Sequence, residues 1–156
     1  MLIAHAPMGY IIAKKQKVEK KSLAAASILF SVLPDFDLLY YYIFDDGKRS
    51  HHLYFPHLPI VMFGSFLILL PFMQFRPMKK FRPYISLFYI NWLVHLLLDT
   101  VTGGIAWLYP LKNTLIKLIQ IPAHMSHWIL SFVFHYSFLI EIGIVFYAFL
   151  LWKKSR

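Results

Sequence analysis

Cysteine is absent from this chain, and Asp and Glu together number only seven among 156 residues. The first absence excludes disulfides and thiolate metal sites and leaves the redox compartment open. Charged residues make up 15% of the chain, below the ~25% usual for soluble domains. No Ser-His-Asp arrangement, P-loop or His-Glu-x-x-His pair occurs, which disfavours serine hydrolases, P-loop nucleotidases and zincin proteases. No internal repeat, low-complexity tract or linker occurs either, so residues 1–156 read as one domain.

What fills the chain instead is apolar: 59% hydrophobic and 19% aromatic residues. Soluble domains average ~45–50% apolar, so this is a membrane composition. Four segments near the ~20 residues a bilayer requires stand out: 22–44, 57–75, 83–101 and 128–152. Residues 2–13 are too short to span and read as a half-depth or packed helix. Residues 113–121 alternate Leu, Ile and Lys at roughly helical spacing and read as a short interfacial helix. The fold class is all-α, a multi-pass membrane bundle of about four spans with those two shorter helices. The start of the chain lacks a basic region and carries His5 in its apolar part, so a cleavable signal is not expected.

The net charge of +9 raises nucleic acid as a partner. Its distribution argues against that. Basic residues gather at 14–21, 76–82 and 153–156, each beside an apolar segment, which is the positive-inside pattern. With all three clusters in the cytoplasm the spans alternate without conflict, and residues 45–56 and 102–127 lie outside. The lipid bilayer is the expected partner, and no nucleic acid is expected.

Into this apolar background the sequence places His95 and Asp99, four residues apart on one helix face. An ionisable group at membrane depth costs ~2.5–3.5 kcal/mol or more, so such a pair suggests a buried site. One imidazole and one carboxylate at this spacing can reach the same ion. Counting ~1.5 Å per residue from the basic ends puts Asp35, His57, His95, Asp99, His135 and Glu141 in one outer layer, about 18–28 Å away. His5 is shallower, at about 14 Å.

Other candidates gather around the pair. In Leu33-Pro34-Asp35-Phe36-Asp37 two carboxylates repel unless a cation or proton neutralises one. Asp35 is the better ligand; Asp37 either bridges or orients a histidine. His51, His52 and His57 share one outer loop, with His57 at the span edge. Glu141 in an apolar run needs a partner, whereas His135, six residues earlier, does not share its face. His124 and His127 fit a polar cap as well as a ligand, and the roles of these two and of His51 stay open. Asp45 and Asp46 read as solvated. A metal held by imidazole and carboxylate suits zinc, manganese or iron better than copper(I).

Order and spacing together resemble the YdjM family of small bacterial inner-membrane proteins, described as metal-dependent hydrolases. The residues that carry this are His5, Leu33-Pro34-Asp35-Phe36-Asp37, His52 and His57, His95 through Asp99, Thr102-Gly103-Gly104, Leu108-Tyr109-Pro110, and His135 through Glu141. One departure is the loop His52-Leu53-Tyr54-Phe55-Pro56-His57, where the family usually carries Arg and Thr between its histidines. The order His5, Asp35, His57, His95, Asp99, His135, Glu141 is also similar to that of the zinc-dependent phospholipase C and P1 nuclease group. That likeness implies Asp35 and Asp99 bridging two or three zinc ions.

The functional expectation is metal-assisted hydrolysis of a phosphoester on a lipid or lipid-linked substrate. Asp35 or Asp99 would take the water's proton, and Asp37 and His52 complete the expected ligand set. The alternative is a non-enzymatic metal-binding, metal-translocating or scaffold protein.

Overall fold

The computed structural model describes residues 1, 3–45, 50–125 and 127–155. Leu2, Asp46, Lys48 and Arg49, which the readings above touch, lie outside them. The chain runs α1 (His5–Lys15), α2 (Lys21–Val32), a 3-10 turn (Leu33–Phe36), α3 (Asp37–Phe44), α4 (Pro59–Phe72), α5 (Arg82–Thr102), α6 (Trp128–Val133) and α7 (Phe138–Lys154). The all-helical expectation holds among the described residues, with one isolated antiparallel bridge between Ile105 and Ile116.

α5 is the axis of the fold. Its buried residues Leu87, Asn91, Leu96 and Thr100 recur every four or five positions, with Trp92, His95 and Asp99 beside them. This is the stripe of a helix with one inward face. Tyr89, Trp92 and Leu96 join Met62 of α4 and Ile105 in the apolar core. Trp92 also donates its indole N–H to the Pro56 carbonyl at 2.6 Å, tying the histidine-bearing loop to α5.

α1 and α2 approach closely because Gly9 faces α2. A Cβ there would stand 2.7 Å from the Ser27 carbonyl oxygen and 2.8 Å from Ile28 Cα. Ser27 Oγ donates to the Gly9 carbonyl at 2.8 Å and accepts from Asn91 Nδ2 at 2.9 Å. One hydroxyl thus links three helices, the small-residue contact that apolar helices use to associate. Pro34 has no N–H for the α-helical ladder, and the chain tightens there into the 3-10 turn that carries Asp35.

The basic clusters meet at one end of the bundle. Tyr10 Oη and Ser155 Oγ are 3.4 Å apart, Lys15 Nζ lies 5.6 Å from the Tyr147 ring, and Ser22 Oγ is 3.2 Å from Tyr84 Oη. The N-terminus of α1, the C-terminus of α2 and the C-terminal half of α5 point the other way.

Two helical stretches have the length and apolarity of a membrane span, Lys21–Phe44 and Arg76–Thr102. α4 is apolar but has 14 residues. The segment 128–152 is interrupted between α6 and α7 rather than forming one helix.

The helix expected at 113–121 is corrected: this segment is irregular, with a single bridge at Ile116. Ile116 exchanges both backbone hydrogen bonds with Ile105, at 2.9 and 3.0 Å. Leu118 and Ile119 then donate to the carbonyls of Thr100 and Val101 at 2.9 and 2.8 Å. The last turn of a helix leaves carbonyls without partners. Here the strap over the end of α5 supplies them, which outweighs the local helical spacing.

Candidate metal centre

Four elements converge at the end of the bundle away from the basic residues. α1 begins with His5, the 3-10 turn carries Asp35, the loop before α4 supplies His52 and His57, and α5 supplies His95 and Asp99. His5, His57, His95 and Asp99 are at most 3% exposed, whereas Asp35 is 24% exposed.

Three imidazoles are fixed through Nδ1. His57 donates to Asp37 Oδ2 at 2.7 Å, His95 to the Ser31 carbonyl at 2.8 Å, and His52 to the Gly104 carbonyl at 2.8 Å. These acceptors leave Nε2 as the ring atom directed into the centre, the usual way a metal-binding histidine is oriented. Gly103 makes room for the His52 ring: a Cβ there would fall 2.9 Å from Nδ1 and 3.1 Å from Nε2.

These Nε2 atoms face carboxylates. His57 Nε2 is 3.2 Å from His95 Nε2, 3.6 Å from Asp35 Oδ1 and 3.5 Å from Asp99 Oδ2. His95 Nε2 is 3.6 Å from Asp35 Oδ1 and 3.1 Å from Asp99 Oδ2. These are five of the six edges of a four-cornered figure. Ligands ~2.0–2.1 Å from a tetrahedral ion stand about 3.3 Å from one another. The observed edges bracket that value.

The other oxygens of the same carboxylates turn to His5. Its Nε2 is 3.2 Å from Asp99 Oδ1 and 3.8 Å from Asp35 Oδ2. The His5 ring stacks on His95 with centroids 3.8 Å apart, and the Met1 α-amino group contacts Asp99 Oδ1. Each carboxylate is therefore split, one oxygen towards His57 and His95 and one towards His5. A further set of donor atoms, from His51, His52 and His57, lies within 4.8 Å of one another.

The chemistry of this donor set fits a cation. Asp99 Oδ2 and His5 Nδ1 are buried without a hydrogen-bond partner. Lone pairs and carboxylate oxygens aimed at one point repel unless positive charge sits between them. Among the described residues, His5, Asp35, His95 and Asp99 form one group that can hold a metal ion, and His51, His52 and His57 form another. Burial lowers the pKa of His52 to about 3, against the opposing charge of Asp99, and lowers that of His5 despite its hydrogen bond to Asp99. Both are neutral at pH 7, the form that binds metal.

The structure gathers His5, Asp35, His52, His57, His95 and Asp99, and gives the remaining expected ligands other partners. Asp37 orients His57 and lies 3.5 Å from His51 Nδ1 through its second oxygen. His135 Nδ1 hydrogen-bonds Ser137 Oγ at 2.9 Å in the break between α6 and α7. Glu141 Oε2 accepts from the backbone N–H of Ile3 and Ala4, at 2.5 and 3.1 Å. A carboxylate is favoured at the positive start of α1, so Glu141 holds the helix that presents His5. Asp45 accepts from Tyr54 Oη at 2.6 Å. His51 joins the centre although its role was open from sequence. The adjacent His52 and the paired carboxylates of the Asp35–Asp37 turn were its available signal.

Neither a curated protein nor a solved structure matches the chain. The likeness to the phospholipase C and P1 nuclease group therefore rests on ligand order. A sequence model described as the YdjM inner membrane protein matches residues 1–155, and the chain belongs to that family.

Proposed function

We propose that this protein is a membrane-bound, metal-dependent phosphoester hydrolase acting on a lipid or lipid-linked phosphate. The observation that carries the proposal is the split of Asp35 and Asp99 between His57–His95 on one side and His5 on the other. In this reading Asp35 and Asp99 would each contribute to holding two divalent ions. His57 and His95 complete one set, and His5 belongs to the other. Zinc suits these nitrogen and oxygen donors, and manganese and iron fit the same ligands.

A pair of ions supplies a water of lowered pKa and a clamp for the attacking and leaving oxygens. The protein's own groups do the rest. Asp35, 24% exposed, is the site carboxylate that water reaches most readily, and it would orient the attacking water, whose proton the lowered pKa already releases to solvent. Asp37 keeps Nε2 of His57 directed inward, and the Ser31 carbonyl does the same for His95.

The membrane reading rests on family membership and on the two apolar stretches. Four crossings, with the metal centre near the outer face and the basic end in the cytoplasm, agree with the positive-inside rule. The test of function is phosphate release from phosphatidate and from isoprenyl phosphates, using full-length protein in lipid nanodiscs. Metal-dependent turnover lost in Asp35→Asn supports hydrolysis. Bound metal without turnover on either substrate favours a metal-binding role.

A further inference from the structure

A cavity of about 410 Å3 adjoins the metal centre on its three-histidine side. Its size falls within the ~300–1,000 Å3 range of small-molecule sites. His51 and His52 line its polar end, and His52 Nε2 is 3.9 Å from Asp99 Oδ2. The opposite wall is apolar, built from Ile121, Pro122, Met125, Trp128 and Phe132.

This wall belongs to the segment 121–125 and α6, which supply no ligand to the centre. Its one hydroxyl, Ser131 Oγ, accepts from the Met125 N–H at 3.2 Å. Trp128 is 58% and Met125 42% exposed, so the apolar side continues onto an open apolar surface. One end of the cavity thus opens on the ions that the hydrolase reading assigns to the centre, where an anion would be favoured, and the other suits hydrocarbon.

We propose that this cavity seats the apolar chain of a single-chain alkyl or isoprenyl phosphate, with the phosphate at the metal centre beyond the His51–His52 end. The proposal rests on the hydrolase reading and adds the substrate's class and its side of approach. A lipid enters between α6 and the strap that caps α5, and its head reaches the centre past His52 rather than past His5.

The probe is dodecyl phosphate carrying a terminal diazirine, photolysed with the full-length protein in lipid nanodiscs. Labelled residues are mapped by peptide mass spectrometry. The expected label falls within residues 121–132 and is displaced by dodecyl phosphate but not by inorganic phosphate. Ala123→Trp, which fills the cavity, is expected to reduce labelling about tenfold while metal content is unchanged. Trp128→Ala, at an exposed position where folding is not at stake, is expected to reduce it severalfold. Label spread over α4 and α7, or labelling unaffected by both variants, overturns the proposal. Displacement by inorganic phosphate alone overturns the lipid as occupant. Elemental analysis separates the two readings: localised label on a metal-free protein keeps the cavity and removes the hydrolase, and spread label on a metal-loaded protein does the reverse.

Discussion

The Nε2 atoms of His57 and His95 stand 3.2 Å apart while each ring gives its Nδ1 proton to a separate acceptor. In the metal-binding form two lone pairs are thereby turned on each other inside a wall of carboxylate oxygens. Burial alone would lower the pKa of His57, but Asp35, Asp37 and Asp99 raise it to about 11, so a proton stands in for the cation when no metal is bound. That arrangement is costly alone and favourable around a cation, and the first predictions follow from it.

Asp37 acts through His57, so its removal should weaken the centre without abolishing it. Asp37→Asn is expected to reduce metal affinity about 10–100-fold, the usual cost of losing a partner that orients a ligand. Competition with a chromophoric chelator measures it. Unchanged affinity would show that the 2.7 Å contact does not orient the ring.

Glu141 holds α1 rather than an ion in this account. Glu141→Ala leaves the buried N–H of Ala4 and the N–H of Ile3 without their acceptor, at about 1–3 kcal/mol for a buried group. Glu141→Gln keeps an acceptor oxygen and is expected to retain both metal content and most of the thermal stability. Loss of metal in Glu141→Gln at unchanged stability would restore Glu141 to the ligand set.

Gly9→Ala tests the α1–α2 contact. The added methyl meets the backbone of α2 at Ser27 and Ile28 as well as the Ser31 hydroxyl, so a side-chain shift alone cannot make room. Overpacking of this kind costs typically ~1–3 kcal/mol, and the unfolding midpoint should fall accordingly. Gly64→Ala is the control, since a Cβ there meets nothing within 4 Å.

His52 gives the metal-free protein a pH dependence. Its folded pKa lies near 3, below the unfolded value of 6.5, so the unfolded chain binds more protons between those limits. Its contribution to stability is complete above about pH 6.5 and is lost as the pH falls towards 3, at about 1.4 kcal/mol per unit within the window. His52→Asn keeps a donor for the Gly104 carbonyl and cannot titrate. Its unfolding midpoint should vary less between pH 6.5 and 4.5 than that of the wild type.

Much of the centre was legible because membrane-like composition makes polar groups conspicuous. The four-residue spacing of His95 and Asp99, and the Pro34 turn that carries Asp35, are local patterns that survive into the fold. The depth count brought most ligands to one layer, but it measures distance along an axis and says nothing of facing. It could not separate Glu141, which caps α1, from Asp99, which faces the histidines. The strap at 113–121 was misread because a short Leu, Ile and Lys alternation fits more than one period. What settles its form is non-local, the carbonyls of Thr100 and Val101 at the end of α5. The role of Ser31 rests on its backbone carbonyl, which no side-chain pattern announces.

The central claim is that Asp35 and Asp99 are shared between two ions, and metal stoichiometry tests it most directly. Elemental analysis of the full chain in lipid nanodiscs should give about two divalent ions for wild type, as in two-metal phosphoester hydrolases. His5→Ala and His95→Ala should each retain one, and Asp99→Ala should retain neither. A metal-free wild type, or an Asp99→Ala protein with its full metal complement, would contradict the account.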